Sequence, residues 1–223
     1  MKWWIACVCT LLLGACATTP RPRSATPPPR SAAPASGSVE ELAGAISANA
    51  RQSDHETDAH VRGELAADAS RDAQACLALQ PNSAACLYGN ALALGLEAQA
   101  HPTRAVDLLK QMLESLARAE SADPTYDQAG PARVRALVLI RAPGWPLGPG
   151  DTDEGLEAAR RAVSLRPDYP PNLLALAEAM ARSGNAAEAR STYDRARGAA
   201  QAWTASTDRD DWLRQADEAL HRR

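Results

Sequence analysis

From residue 39 onward the apolar residues recur three and four apart, which is the spacing of one helix face. Read this way, the chain predicts helices near 39–53, 56–79, 83–98, 103–121, 130–141, 152–165, 171–183, 186–201 and 208–221. In 103–121 the stripe is Val106, Leu109, Leu113 and Leu116. No alternating pattern of useful length argues for a strand. The fold class expected is all-α. The last segment begins with acids and ends with bases, as the helix dipole prefers. It carries Trp212, expected to cap the array.

Three helix ends rhyme: Ala73–Asn82, Leu116–Thr125 and Ala159–Asp168 each close on a proline. These are Pro81, Pro124 and Pro167, spaced 43 and 43. Proline after an Ala/Leu helix end is a stop signal, and a fixed period of this size signals a helical repeat array. Ala84–Ala93 fits the first helix of a unit. Asn172–Arg190 fits best, with Ser183-Gly-Asn185 as the turn between two helices. Small residues where helices cross, then Leu-x-Pro, then an apolar opening resemble tetratricopeptide repeats. The implied architecture is a modified tetratricopeptide-repeat array of about nine helices, an α-solenoid. The usual unit is shorter than 43 residues, so insertions are expected.

The first 38 residues follow other rules. Lys2 precedes an apolar run, Trp3–Leu13, too short to span a bilayer. It closes on Leu13-Gly-Ala-Cys16, which resembles a bacterial lipoprotein signal. That resemblance implies a leader over 1–15, acyl chains on Cys16, and, with Ala17 following, the periplasmic side of the outer membrane of a Gram-negative cell. Residues 16–38 then form a lipidated tether, rich in proline, arginine and serine and without acids or large apolar groups. Such a segment cannot offset its ordering entropy by burial. It can reach on the order of 60 Å at ~3.1 Å per residue. The folded domain expected is 39–223, enough for one core.

Composition changes this picture little. The formal charge is −3, and no polybasic face argues for nucleic acid. Cys7 and Cys9 lie in the leader and Cys16 is assigned to lipid. Cys76 and Cys86 remain, astride Pro81, at the end of one helix and the start of the next. In an oxidising compartment they are a disulfide candidate. The alternative is two small buried residues at a tight crossing.

Chemistry is sparse. His55 and His60 are five apart with Glu56 between, whereas a zinc protease needs two histidines four apart on one face. No phosphate-cradling glycine loop is present, nor a Gly-x-Ser-x-Gly. Asp151, Asp153, Glu154, Asp210 and Asp211 sit at helix starts, where capping explains them. The sequence reads as a non-enzyme without cofactor or metal.

The interruption is Arg141–Gly150, RAPGWPLGPG. Pro143 ends a helix. Gly144, Gly148 and Gly150 permit unusual backbone angles, while Pro143, Pro146 and Pro149 stiffen the loop. Trp145 either folds back as a lid over the crossing beneath it or faces a ligand or partner; the sequence leaves both open.

Asp123–Arg133 (with Tyr126-Asp127 and Gly130-Pro131), Arg141–Asp151 (with Ala142-Pro-Gly-Trp-Pro146) and Arg166–Asn172 together resemble the T-component lipoproteins of TRAP-type transporters, over about residues 70–200. That resemblance implies an all-helical protomer with a pore or cleft, a trimer, and docking of the transporter's periplasmic solute-binding protein, with a small apolar or acidic cargo. It points to Tyr88, Tyr126, Asp127, Pro143, Gly144, Trp145, Pro146 and Tyr169 as ligand- or partner-binding residues, with Tyr88, Tyr126, Asp127, Trp145 and Tyr169 near the mouth or wall of such a pore. The chain departs from that family in its long tether and in the polar stretch near Trp203–Asp211. The competing reading is a tetratricopeptide scaffold lipoprotein that organises an envelope, motility or secretion assembly.

Overall fold

Ser38 starts the array. Its Oγ accepts from the Glu41 N–H at 3.2 Å, and its own N–H donates to Glu41 Oε2 at 2.8 Å. This reciprocal capping box satisfies two backbone donors that the first turn cannot. The computed structural model describes residues 37–203 and 208–221. The expected leader, Cys16 and all but the last two residues of the expected tether lie outside the described residues.

Nine α-helices follow among the described residues: α1 Val39–His55, α2 Ala59–Leu79, α3 Ala84–Ala100, α4 Ala105–Ala122, α5 Tyr126–Arg141, α6 Thr152–Leu165, α7 Pro170–Arg182, α8 Ala186–Ala202 and α9 Arg209–His221. No strand is present among them. The second helix starts three residues later than the periodicity predicts. Asp58 decides this, because its Oδ1 accepts from the His60 N–H at 2.8 Å and holds residues 56–58 outside the helix.

Every helix packs on its neighbour in the chain, so the array is a run of helical hairpins. The odd helices α1, α3, α5, α7 and α9 also touch one another in succession, while no two even helices do. Touching helices on one side and splayed helices on the other make a two-layer solenoid that curves toward the odd layer. Small residues permit the close crossings. Ala69, Ala91, Ala136, Ala159, Ala177 and Ala179 are fully buried. A Cβ on Gly155 would stand 2.5 Å from Ile140 Cγ2, so α6 meets α5 there at a distance only glycine allows. The far end closes on Trp212, 8 % exposed, packed on Leu173, Leu174, Ala196 and Ala200.

Cys76 and Cys86 are joined by a disulfide with Cα atoms 5.2 Å apart. Both are fully buried beside Val39 and Leu42. The bond staples the α2–α3 hairpin across the Pro81 turn. Crosslinking so short a loop removes roughly 2–3 kcal/mol of unfolded-state entropy. Replacing both cysteines with alanine is expected to lower Tm by about 5–10 °C, read by thermal unfolding. An unchanged Tm would show that the bond constrains nothing.

Candidate binding surfaces

The α5 helix begins in the wrong hand. Asp127, Gln128 and Ala129 have φ of 47°, 57° and 64°, all left-handed, before Gly130 and Pro131 start a right-handed helix. Three such residues that are not glycine cost roughly 1–2 kcal/mol each. The periodicity predicted a helix only from 130, which is where the right-handed part starts. The segment shifted by one repeat is Tyr169–Asn172, and there Pro170 opens α7 directly. The reversed turn is therefore a local departure from the repeat.

Arg133 holds the turn in place. Its Nη1 donates to the backbone oxygens of Asp127 at 3.2 Å and Gln128 at 3.3 Å, and to Asn172 Oδ1 at 3.1 Å. Its Nη2 donates to Asp127 Oδ2 at 2.7 Å. The Tyr88 hydroxyl donates to the same carboxylate oxygen at 2.8 Å. Asn172, fully buried on α7, spreads its amide over the backbone oxygens of Gln128, Ala162 and Arg166. The guanidinium carbon lies 5.3 Å from the centre of the Tyr169 ring, within cation–π range. A Cβ on Gly130 would meet Asp127 Oδ2 and Tyr88 Oη at 2.8 and 2.9 Å, so residue 130 must be glycine for the network to close.

Burial works against the Arg133 charge, but the facing Tyr88 and Asp127 more than restore it and raise its pKa. Burial pushes the Tyr88 phenol far above its ordinary range. It also raises Tyr126 and Tyr169, with the Asp127 carboxylate adding to both and Arg133 opposing at Tyr169. The phenols thus stay neutral and the guanidinium charged at physiological pH. What reaches solvent is a firmly held edge: the exposed Asp127 carboxylate, exposed Gln128, and the half-buried rings of Tyr126 and Tyr169. Tyr126 packs edge-on against Tyr88 at 5.5 Å, and Tyr169 against Trp203 and Trp212 at 5.4 and 5.7 Å. Of the residues expected here, Tyr88 is buried and supports the site from beneath.

Trp145 is elsewhere. From Arg133 to Arg141 the helix advances about 12 Å at 1.5 Å per residue, so the loop stands at the opposite end of α5. Of the residues expected near the mouth or wall of a pore, Tyr88, Tyr126, Asp127 and Tyr169 come together within one chain, and Trp145 stands apart from them at the other end of α5. The lid alternative for Trp145 is also overturned: its side chain is 90 % exposed, with Leu147 at 74 %. Pro143, Gly144 and Pro146 are exposed beside it. The loop base is closed by Gly150 N–H to Pro143 O at 2.8 Å, Gly148 N–H to Gly144 O at 3.1 Å and Asp151 N–H to Leu139 O at 3.0 Å. A Cβ on Gly150 would stand 2.1 Å from Ala142 O. The glycines let the two strands of the loop touch, and the finger they support carries its apolar tip into solvent.

His55 and His60 take separate partners. The first ends α1 and pairs with Asp211 at 3.3 Å; the second lies on α2 and pairs with Glu64. Among the described residues no cluster of His, Cys, Asp or Glu could hold a metal ion.

A family model described as tetratricopeptide repeat matches residues 147–205, which takes in α6, α7 and α8. The match covers about a quarter of the chain, and that part is similar to a tetratricopeptide repeat. Within the matched stretch the α7–α8 hairpin turns at Gly184, with φ of 83°. The repeat-like array is also similar to the crystal structure of MamA protein. Sequence identity there is 17 %, coverage 73 % of this chain and 84 % of that one, and the TM-score 0.41. No curated protein matches the chain. Folds of this kind present surfaces for protein partners.

Sequence reasoning missed Arg133 and Asn172. The available signal was one arginine inside the apolar run Val134–Ile140, and one asparagine after Pro170-Pro171. Arg133→Met removes five hydrogen bonds from the network and is expected to cost about 3–5 kcal/mol, a Tm loss near 10 °C. Gln128→Gly relieves left-handed strain at an exposed position and is expected to raise Tm by about 2 °C. A fall on Gln128→Gly would mean that the turn is not strained.

Proposed function

We propose that this protein is a docking module of the bacterial envelope. It is anchored through lipid on Cys16 to the periplasmic side of the outer membrane and serves as accessory to a TRAP-type transporter, whose solute-binding protein it holds. The observation that carries this reading is the Trp145 finger. A tryptophan 90 % exposed on a loop closed by backbone hydrogen bonds has little entropy left to lose when a partner covers it. The tether supports the reading by reach, since a partner that diffuses through the periplasm must be met away from the bilayer. The edge formed by Tyr126, Asp127 and Tyr169 is the second contact surface, for the same partner or for a small ligand it delivers. The two segments that carry the family resemblance, Tyr126–Pro131 and Ala142–Pro146, are also the two places where the structure departs from a plain repeat.

The test is a crosslinked pull-down of the mature, tethered protein from its own cell envelope, with Trp145→Ala alongside. Recovery of a periplasmic solute-binding protein is expected, at least tenfold weaker with the variant, whose Tm should be unchanged. Recovery of outer-membrane machine subunits, equal for both proteins, would make the chain a scaffold instead.

A further inference from the structure

The finger also says what it fits. Its tip is Trp145-Pro146-Leu147, convex and apolar. A tryptophan buries on the order of 150–250 Å², so the finger alone supplies far less than the ~800 Å² per partner of a stable interface. An apolar tip of this size works as an anchor inserted into a pocket. Its collar is acidic. Gly144 bridges to Gly150, which sets Asp151 at the base, and Asp153 follows on the first turn of α6. Both are exposed. Glu154 is spent on Arg135, and Arg141, on the other side, is held by Glu178, with Nε to Oε1 at 2.9 Å. Asp151 accepts from the Glu154 N–H as the α6 cap. Asp153 has no ion-pair partner among the described residues.

We propose that the finger inserts into an apolar pocket rimmed by lysine or arginine side chains on a protein partner. This deepens the docking reading and rests on it. A second copy of this chain offers a poor match at the open depression on α9, which is lined by Asp210, Asp217 and Glu218 with Leu213, Arg214 and His221 and is not rimmed by bases alone. A bilayer is also wrong, because inserting the tip would press Asp151 and Asp153 against phosphate headgroups. The collar acts on encounter: a rim charge changes association rate and salt dependence more than the final contacts.

The experiment places a photo-crosslinking amino acid at 145 and, separately, at 153 in the full chain in its own cells, and maps the crosslinked peptides. Probes at both positions are expected to reach one protein, position 145 among apolar residues and position 153 beside lysine or arginine. Asp153→Arg should weaken capture of that protein about threefold at low salt, with the difference closing at high salt. Position 153 landing among acidic residues, or Asp153→Arg leaving capture unchanged at low salt, would overturn the basic rim while leaving docking through Trp145 intact. Crosslinks from 145 to lipid would overturn the pocket. So would a blue shift of tryptophan emission on phosphatidylethanolamine–phosphatidylglycerol vesicles that Trp145→Ala abolishes. No protein crosslink from either position, with Trp145→Ala capturing as the parent does, would sink the inference and the docking reading together.

Discussion

A buried guanidinium organises the centre of this molecule. Arg133 is 7 % exposed, and a charge taken out of water must find partners or cost several kcal/mol. It finds them on three helices of the odd layer: Tyr88 on α3, the reversed turn that opens α5, and Asn172 and the Tyr169 ring at the start of α7. Remove the cation and the left-handed turn keeps only the Asn172 amide on its Gln128 carbonyl. Remove the turn and the cation has no cage. Each explains why the other persists, and together they tie the inner faces of three successive repeats to one point.

Around that point the packing is built from small residues. Alanine at the crossings brings the odd helices into contact, and the even helices splay behind them, so curvature follows from side-chain volume. A stiff array of this kind can display an insertion without being deformed by it. The loop after α5 uses this. Its base is drawn shut by glycine contacts and backbone hydrogen bonds, while its tip stands exposed, uncovered by the described residues. Ion pairs across the outside, such as Arg160 with Glu157 and Arg197 with Asp194, are exposed and contribute little.

The two departures from the repeat have opposite energetic character. At Tyr126–Gly130 strain is stored in the backbone and held by buried polar bonds, leaving a rigid polar and aromatic edge at the surface. At Pro143–Gly150 the loop is pinned at its base and the cost is exposed apolar area, which is lowered only when something covers it. The helical frame supplies rigidity to both.

Much of this was written in the chain itself. The three- and four-residue spacing set helix number and most boundaries, because burying one face of a helix demands that period. The prolines at 81, 124 and 167 set the repeat, because a helix that runs into a proline loses a hydrogen bond there and ends. Tyr126, Asp127 and Tyr169 stood out only through the resemblance of their segments to the T-component lipoproteins, not through the spacing of the helices. The partners of Arg133 could not. An arginine in an apolar run reads the same whether its head snorkels to water or is caged, and only the α3, α5 and α7 positions in space decide which. The hand of residues 127–129 was equally hidden, since Asp-Gln-Ala has no preference for left-handed angles and adopts them because Arg133 and Asn172 hold the carbonyls from outside the segment. The separation of Trp145 from the tyrosines was also a matter of tertiary structure: the helix over residues 132–141 lies between the two motifs, and a rigid rod that long keeps its ends apart.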